Sequence, residues 1–399
     1  MLPNTLTLSF SPTFRLGIGG THVTGNHFNG FSPNVHMRIL QISSATSFAG
    51  GERHFADLAN GLLARGHELF AAVRRHSPLI PQLRIPLANI KTLSLSNAFD
   101  ARSAHHLARL IKQHRIDVVH AHMARDYSLA AYATRRNPTT KLVVTRHVLF
   151  PLNRFHKRTL AHASRVIAVS EATGRHLRSQ ELVANEKIEV IRNGIDVERF
   201  AKAREGSEYR ATLDVPGDCQ LIGSIGELRR LKRHEDFVSA AAIVGRANPS
   251  AYFVLAGSPA SSDAVEIESL KKLVNEFGLT ERFRFLGWLG DSAALLGALD
   301  VFVSASETES FGLVIAEAMA SGAAVVSTAT EGAREVVAEG ETGLLVPVGA
   351  VDEMANAITS LLIDDKRRRE FAQRGQKRVA ELFSVDRMVD ETERLYESL

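Results

Sequence analysis

From residue 38 onward, short apolar segments of this chain alternate with amphipathic helical segments, and the alternation is interrupted once. The apolar segments are nearly unbroken runs of Val, Ile, Leu and Ala, which is typical of parallel strands covered by helices on both faces. The interruption at residues 193–218 is polar. The pattern therefore predicts an α/β fold with two similar doubly wound parallel-sheet domains. The predicted strands are residues 38–43, 69–73, 117–120, 142–145 and 165–169 before the interruption, and 221–225, 252–256, 284–286, 301–303, 324–327 and 344–346 after it.

The length of 399 residues also favours two domains, because single cores stop growing at about 250–300 residues. Residues 1–36 lack periodicity and basic residues ahead of an apolar run, so we expect a disordered extension rather than a signal peptide, with Met37 as a candidate start. We expect an N-terminal domain over residues 37–200 and a C-terminal domain over residues 201–375. Helices near 366–382 and 386–398 end the chain, and residues 376–399 are candidates to pack back on the N-terminal domain.

Composition excludes several classes of protein. Hydrophobic residues make up 45% and charged residues 23%, which is ordinary globular usage. The single cysteine, Cys219, excludes an internal disulfide framework and favours a reducing compartment. The net charge of +4 conceals a division. Residues 37–199 contain 25 Lys and Arg against 12 Asp and Glu, an excess of thirteen positive charges, whereas residues 200–399 carry an excess of ten negative charges.

Candidate site residues follow the predicted strands, because ligands bind beyond the carboxyl ends of parallel sheets. Gly50 and Gly51 lie at a strand-to-helix turn, where backbone amides could approach an anion; a tight turn alone would explain them equally well. His120 and His122 bracket a strand end on one face, and sequence leaves ligand-facing and core-facing interpretations open. Two histidines do not make a zinc site, and no neighbouring carboxylate or cysteine completes one.

Two further segments, in the second half of the sequence, contain candidate ligand-binding residues. Residues 222–233 run from a strand through a glycine turn into Arg229, Arg230 and Lys232, which could clamp a diphosphate. Residues 304–322 place Glu309 in a loop and Glu317 in an apolar helix, where a carboxylate needs a partner such as a ribose hydroxyl. A glycosidase acid/base pair is disfavoured, because eight residues of helix span about 12 Å, more than such a pair allows.

Four motifs resemble those of the family-4 retaining glycosyltransferases, over most of residues 37–399. They are Ala49-Gly-Gly-Glu-Arg, Asp117-Val-Val-His-Ala-His122, Val190-Ile-Arg-Asn-Gly-Ile-Asp196 and Glu309-Ser-Phe-Gly-Leu-Val-Ile-Ala-Glu317. The last motif, with two glutamates separated by seven residues, is the most specific. The resemblance implies the glycosyltransferase-B fold, in which two Rossmann-like domains face each other across a cleft.

The resemblance also implies roles for individual residues. Glu317 would hold the ribose of a nucleotide-diphosphate sugar, Glu309 would touch hydroxyls of the transferred sugar, and His122 would contact that sugar near the reacting carbon. Lys232 would neutralise the leaving diphosphate. Backbone amides would approach the donor around Phe311, Gly312, Leu313 and Val314, while Gly50 and Gly51 would lie by the diphosphate and acceptor. No Asp-x-Asp motif is present, so we expect neither a metal nor a cofactor to be required.

The sequence departs from the family pattern at one position. Glu227 follows Gly226, where the family usually has arginine, and a carboxylate there would repel a diphosphate. Arg229 or Arg230 would have to take over the role of the arginine.

These observations lead to one main expectation of function and two alternatives. We expect a retaining glycosyltransferase of glycan biosynthesis that acts on a glycolipid, polysaccharide or small acceptor. The first alternative is a sugar-phosphate epimerase or phosphorylase on the same fold. The second is a polyanion-binding protein, although no nucleic-acid motif is present. The basic first half favours an anionic or lipid-linked acceptor and a cytoplasmic enzyme peripheral to the inner face of a membrane. The candidate membrane contacts are Arg74, Arg75, Arg135, Arg136, Arg154, Lys157, Arg158 and the segment 150–155.

Overall fold

The computed structural model describes residues 36–203, 208–217, 219–259 and 267–399. The extension expected over residues 1–36 therefore lies outside the described residues, apart from His36. Within them the chain forms two parallel sheets, each covered by helices on both faces.

The first sheet contains seven parallel strands among the described residues, in the order β3-β2-β1-β4-β5-β6-β7. Its central strands are buried along almost their whole length, which explains the unbroken apolar runs. The strands are β1 (Arg38–Ser43), β2 (Glu68–Arg74), β3 (Ile90–Leu93), β4 (Val118–Ala121), β5 (Lys141–Arg146), β6 (Arg165–Ala168) and β7 (Ile188–Val190).

Five helices connect these strands within the described residues. Helix α1 turns a stripe that includes Phe55, Leu58 and Leu62 onto the sheet, and Asp100 and Ser170 cap the starts of α2 and α5 through side-chain oxygens. The helices are α1 (Gly50–Ala64), α2 (Ala101–His114), α3 (Ala124–Arg135), α4 (His156–His162) and α5 (Glu171–Ser179).

The second sheet contains six parallel strands in the described residues, in the order β10-β9-β8-β11-β12-β13. Its strands are β8 (Gln220–Ile225), β9 (Ala251–Ala256), β10 (Phe283–Gly287), β11 (Val301–Ser304), β12 (Ala324–Thr328) and β13 (Gly343–Val346). Its helices are α6 (Val197–Lys202), α7 (Glu208–Thr212), α8 (His234–Ala247), α9 (Ile267–Glu276), α10 (Ala293–Ala298), α11 (Leu313–Ala320), α12 (Glu331–Val336), α13 (Val351–Ile363) and α14 (Asp365–Leu382).

The chain passes between the two sheets twice, and the two crossing segments are hydrogen-bonded to each other. The Ile195 amide donates to the Phe383 carbonyl, and the Val385 amide donates to the Ile195 carbonyl, each at 2.9 Å. Helix α14 packs on α11 of the second domain, whereas the last helix, α15 (Val385–Glu397), packs on α1 of the first domain. The expected boundary at residue 376 falls inside α14, and the chain returns to the first domain near Ser384.

The α/β class with two doubly wound parallel sheets, predicted from the alternation, is confirmed. The predicted strands match observed ones to within one residue at almost every end, whereas β3 and β7 were not predicted. None of the helices within the described residues combines the length and hydrophobicity needed to cross a bilayer.

Candidate active site

A cavity of about 660 Å³ lies between the carboxyl ends of the two sheets. This volume is in the range of small-molecule sites. Ten of the twelve residues singled out from sequence line it, namely Gly50, Gly51, His122, Arg229, Lys232, Glu309, Phe311, Gly312, Leu313 and Val314. Arg230 and Glu317 are not among the residues of its wall.

Two helix starts meet in this cavity from opposite domains. A Cβ atom on Gly50, the first residue of α1, would lie 2.9 Å from the Cδ1 atom of Leu313, the first residue of α11. Gly312 precedes α11 with φ near +95°, a left-handed conformation that glycine adopts without strain. Because the first N–H groups of a helix lack intrahelical acceptors, both starts present donors suited to an anion.

The loop before α11 is held from behind by helix α12. The Gly332 amide donates to the Glu309 carbonyl at 3.0 Å, and a Cβ atom on Gly332 would come within 2.6 Å of the Phe311 nitrogen. The same loop touches the first domain, since the Ser310 hydroxyl donates to the His147 carbonyl at 2.7 Å. The close backbone packing of α12 therefore fixes the position of Glu309 and of the helix start.

Lys232 and Glu309 form an ion pair across the cavity wall. The Nζ atom of Lys232 lies 2.6 Å from Oε1 of Glu309, and the Ser306 hydroxyl donates to the same oxygen at 2.7 Å. Lys232 ends a short 3₁₀ turn after β8, and the loop after β11 carries Glu309. The structure thus brings together a cation and a carboxylate that lie 77 residues apart in sequence.

The two arginines near Lys232 occupy different environments. Arg229 lines the cavity together with Glu227, whereas Arg230 is exposed and lies outside its wall. The Nε2 atom of His234 lies 3.0 Å from the carbonyl oxygen of Glu227. Of the two arginines considered as substitutes for the family's usual arginine, Arg229 is therefore the one adjacent to the cavity.

Glu317 lies on α11 beside the cavity, buried against the first domain. Its side chain is 5% exposed, and its Oε1 atom lies 3.6 Å from Nε of Arg53 on α1. Burial raises the pKa of Glu317 to about 7, although Arg53 and Arg199 act in the opposite direction. The expectation that this carboxylate is buried and needs a partner is confirmed, and in this structure the partner is an arginine of the opposite domain.

His120 in β4 and His122 just after it have different environments in the fold. Both nitrogens of His120 are engaged, Nδ1 with the Tyr396 hydroxyl at 2.5 Å and Nε2 with the Thr145 hydroxyl at 2.6 Å, so His120 belongs to the core. His122 lines the cavity, and its Nε2 atom has no hydrogen-bond partner among the described residues. Sequence left open whether these rings face the core or a ligand; His120 faces the core, and His122 faces the cavity.

Sequence reasoning assigned no role to two other rings that lie beside His122. His54 lies on α1, four residues after Gly50, and His147 directly follows β5. The ring centroids of His54 and His147 are 4.8 Å apart, and those of His122 and His147 are 5.6 Å apart. The position of His147 after a strand was a usable signal, whereas His54 reaches the cluster from within a helix.

Two family models match the chain, one for each domain. The model described as Glycosyltransferase Family 4 matches residues 48–199, and the model described as Glycosyl transferases group 1 matches residues 206–378. The boundary between the two matches falls close to the crossing of the chain from the first sheet to the second.

Two curated proteins with similar sequences align with this chain along most of their own length. The lipopolysaccharide core biosynthesis glycosyltransferase LpsE of Rhizobium meliloti (strain 1021) is 29% identical, over 86% of this chain and 94% of LpsE. The N-acetyl-alpha-D-glucosaminyl L-malate synthase of Bacillus anthracis is 28% identical, over 85% of this chain and 91% of the synthase.

Solved structures share the two-domain fold. A glycosyltransferase from Rickettsia africae superposes with a TM-score of 0.80 at 22% identity, covering 91% of this chain and 98% of its own. Anabaena HepE, solved in complex with UDP and glucose, superposes with a TM-score of 0.79 at 24% identity. The superposition covers 91% of this chain and 100% of the HepE chain. The expected glycosyltransferase-B fold is therefore confirmed, and the chain belongs to the family-4 glycosyltransferases.

Proposed function

We propose that this glycosyltransferase moves a sugar, with retention of configuration, from a nucleotide-diphosphate sugar to a glycolipid, polysaccharide or small acceptor. The observation that carries the proposal is the convergence of two helix starts and Lys232 on one cavity between the sheets. Helix starts and a lysine are the groups that a diphosphate needs. The crystallisation of Anabaena HepE with UDP-glucose supports a donor of this kind.

The leaving diphosphate would be bound from the second domain. Breaking the sugar–phosphate bond builds negative charge on the diphosphate, which amides at Gly312, Leu313 and Val314 would stabilise together with Lys232 and Arg229. Lys232 is held at the cavity by Glu309. When a donor binds, Lys232 would turn to the diphosphate and leave Glu309 for hydroxyls of the transferred sugar.

The nucleoside and the sugar would lie on opposite sides of that diphosphate. Glu317 would accept hydrogen bonds from the ribose, in the place where it now faces Arg53. His122 would contact the transferred sugar as a neutral ring, because burial and three neighbouring histidines hold its pKa well below the usual range. Retention is carried over from the resemblance to the family.

The acceptor would enter along the first domain. Arg125, Arg146 and His147 line this side of the cavity. Arg146 is buried, and its Nε atom has no hydrogen-bond partner among the described residues. The two arginines favour an acceptor that carries an anionic group. The names of two kinds of relative, D-inositol 3-phosphate glycosyltransferase and N-acetyl-alpha-D-glucosaminyl L-malate synthase, agree with this chemistry.

A thermal-shift panel of nucleotide-sugars, followed by turnover assays, tests the proposal. A true donor at 100 times its dissociation constant should add about 2.7 kcal/mol to the free energy of unfolding. Release of the nucleoside diphosphate should then depend on an added acceptor. Epimerisation of the donor without acceptor would favour an epimerase, and a panel in which no nucleotide-sugar raises Tm would contradict the proposed donor.

A further inference from the structure

We propose that His54, His122 and His147 form a binding site for a divalent transition-metal ion, with Zn²⁺ as the physiological ligand, and that the ion competes with the donor sugar. We call these residues the three-histidine cluster. One ring nitrogen from each residue lies within 4.8 Å of one from each of the others. The competition, but not the metal site itself, rests on the proposed function.

Unsatisfied nitrogens in the cluster are the first argument. Nε2 of His54, Nε2 of His122 and Nδ1 of His147 are all buried and have no hydrogen-bond partner among the described residues. Buried polar atoms without partners are costly, so such a group usually marks a missing ligand or ion. Three imidazoles in one place match the donor set of His₃ zinc sites, which leave a fourth position open.

A second argument is the hydrogen bond behind His54. Its Nδ1 atom lies 2.8 Å from Oδ1 of Asn193, which can only accept, so Nδ1 carries the proton and Nε2 keeps its lone pair. A metal-binding histidine characteristically donates its other N–H to an oxygen in this way, which fixes the ring and its tautomer. Asn193 belongs to the segment before the interdomain crossing and orients His54 without touching the ion.

The three imidazole ligands indicate which ions the cluster would bind. Neutral imidazoles favour Zn²⁺, Co²⁺, Ni²⁺ and Cu²⁺ over Mg²⁺ and Ca²⁺, which prefer oxygen ligands.

The geometry requires only a small closure of the cluster. At a Zn–N distance of about 2.1 Å, tetrahedral ligand atoms lie about 3.4 Å apart. In the cluster, one ring nitrogen from each histidine lies within 4.8 Å of one from each of the others, so the ligand atoms have to approach one another by about 1.4 Å. Rotation of the half-buried His147 ring, which borders the cavity, can narrow the remaining gaps.

His120 does not belong to the site, although its ring centroid is 4.1 Å from that of His122. Tyr396 and Thr145 occupy both of its nitrogens. The open fourth position of a bound ion would instead face the cavity, because His122 and His147 both line it. An ion held there would withdraw His122 from the sugar, and Zn²⁺ would therefore inhibit transfer.

The test is titration of the full chain with Co²⁺ and Zn²⁺, without nucleotide, because a diphosphate would itself chelate the metal. We expect one equivalent of Co²⁺ to give the intense visible absorption of tetrahedral coordination, and Zn²⁺ to displace it. His54→Ala and His147→Gln should each weaken Zn²⁺ binding at least about tenfold, and Asn193→Ala by about 10–100-fold. His105→Ala, at an exposed histidine of α2, is the matched control and should bind Zn²⁺ as the wild type does.

Equal Zn²⁺ affinity in the wild type, His54→Ala and His147→Gln would overturn the metal site, as would failure of the wild type to bind either ion. The His147→Gln variant keeps the test decisive if His54→Ala does not fold. Donor affinity that is unchanged at saturating Zn²⁺ would overturn the competition. A protein that binds Zn²⁺ through the cluster but binds no nucleotide-sugar would refute the proposed function and leave the metal site standing.

Discussion

Lys232 and Glu309 form the contact in the cavity that donor binding would change most. The pair is partly buried, with 27% of the Lys232 side chain and 17% of the Glu309 side chain exposed. An ion pair of this kind keeps the lysine in place before the donor arrives. A diphosphate bound as proposed would have to compete with this carboxylate for the ammonium group.

We predict that Lys232→Ala lowers kcat by about 10²–10³-fold and changes donor affinity far less, because charge on the leaving diphosphate grows toward the transition state. Steady-state kinetics with varied donor measures both parameters. Lys271→Ala, which removes an exposed lysine of α9, is the control. An increased KM with an unchanged kcat would show that Lys232 contributes only to ground-state binding.

A second prediction concerns Glu317 and pH. Its pKa, raised to about 7 by burial, means that the carboxyl is largely protonated at pH 6 and ionised at pH 8. Ribose hydroxyls donate to the ionised form, so donor affinity should increase as pH rises through 7, and binding near pH 6.5 should release a proton. Calorimetry in buffers of different ionisation enthalpy measures that proton. Glu317→Gln should weaken binding and abolish the pH dependence; an unaltered pH profile in that variant would exclude the ribose role.

Most of the residues singled out from sequence line the cavity because they follow strands. His122 lies directly after β4, and Lys232 and Glu309 lie in the segments that follow β8 and β11, at the sheet edge where ligands bind in such folds. The contacts of Glu317 with Arg53 and of His54 with Asn193 join segments 264 and 139 residues apart. The first pairing depends on how the two domains meet, and the second depends on how distant segments of the first domain pack; local sequence patterns encode neither.

At the scale of elements, the strands that sequence patterns missed are both at the edge of the first sheet. β3 and β7 contain partly exposed residues and Lys91 or Glu189, so neither is an unbroken apolar run. Central strands are covered on both faces and form apolar runs that are easy to recognise. The edge strands of the second sheet, β10 and β13, contain adjacent apolar residues and were predicted, whereas β3 and β7 do not. Helix α1 begins at Gly50 with two glycines, which weaken the helical sequence pattern at its start.

Helix α12 gives a prediction at this scale. Gly332→Ala should place a methyl group against the backbone of residues 309–311, cost about 1–3 kcal/mol of stability and lower turnover at least about tenfold by displacing Glu309 and the start of α11. Chemical denaturation and kinetics test the two effects. Gly217→Ala is the control, since nothing lies within 4 Å of the position of its Cβ atom. Wild-type kinetics in Gly332→Ala would show that the loop is positioned by other contacts.

At the scale of the whole molecule, some basic residues of the first domain form ion pairs with acidic residues of the second domain. Arg53, Arg175 and Arg192 of the first domain pair with Glu317, Glu331 and Glu335 of the second. The remaining basic residues include Arg154, Lys157 and Arg158, which are exposed beside Phe155, itself 84% exposed. This surface, residues 154–158, lies six residues along the chain from Val148, which lines the cavity.

We predict that the protein co-sediments with anionic vesicles at low salt, that high salt releases it, and that neutral vesicles do not retain it. Basic residues near an anionic surface contribute about 1 kcal/mol each, and salt screens the effect. The variant Phe155→Ser, Lys157→Glu, Arg158→Glu should lose binding. Lys366→Glu with Arg369→Glu, on the second domain, should retain it. Equal failure to bind both vesicle types at low salt would instead indicate an acceptor in solution.

The last helix of the chain completes the first domain. Arg65 contacts Asp390 and Glu393, and Tyr396 contacts His120 in the core. We predict that a chain ending at Ser384 loses several kcal/mol of stability, since it uncovers apolar residues of α1. Limited proteolysis should then cleave the first domain before the second. A truncated chain with wild-type resistance in both domains would show that α15 is dispensable.

This arrangement sets an order of events during protein synthesis. The first domain is translated first, yet the helix that covers its α1 surface is translated only after all described strands of the second domain. The second domain can therefore begin to fold while α1 is still uncovered. A ribosome that stalls before residue 385 leaves the apolar face of α1 exposed on the nascent chain.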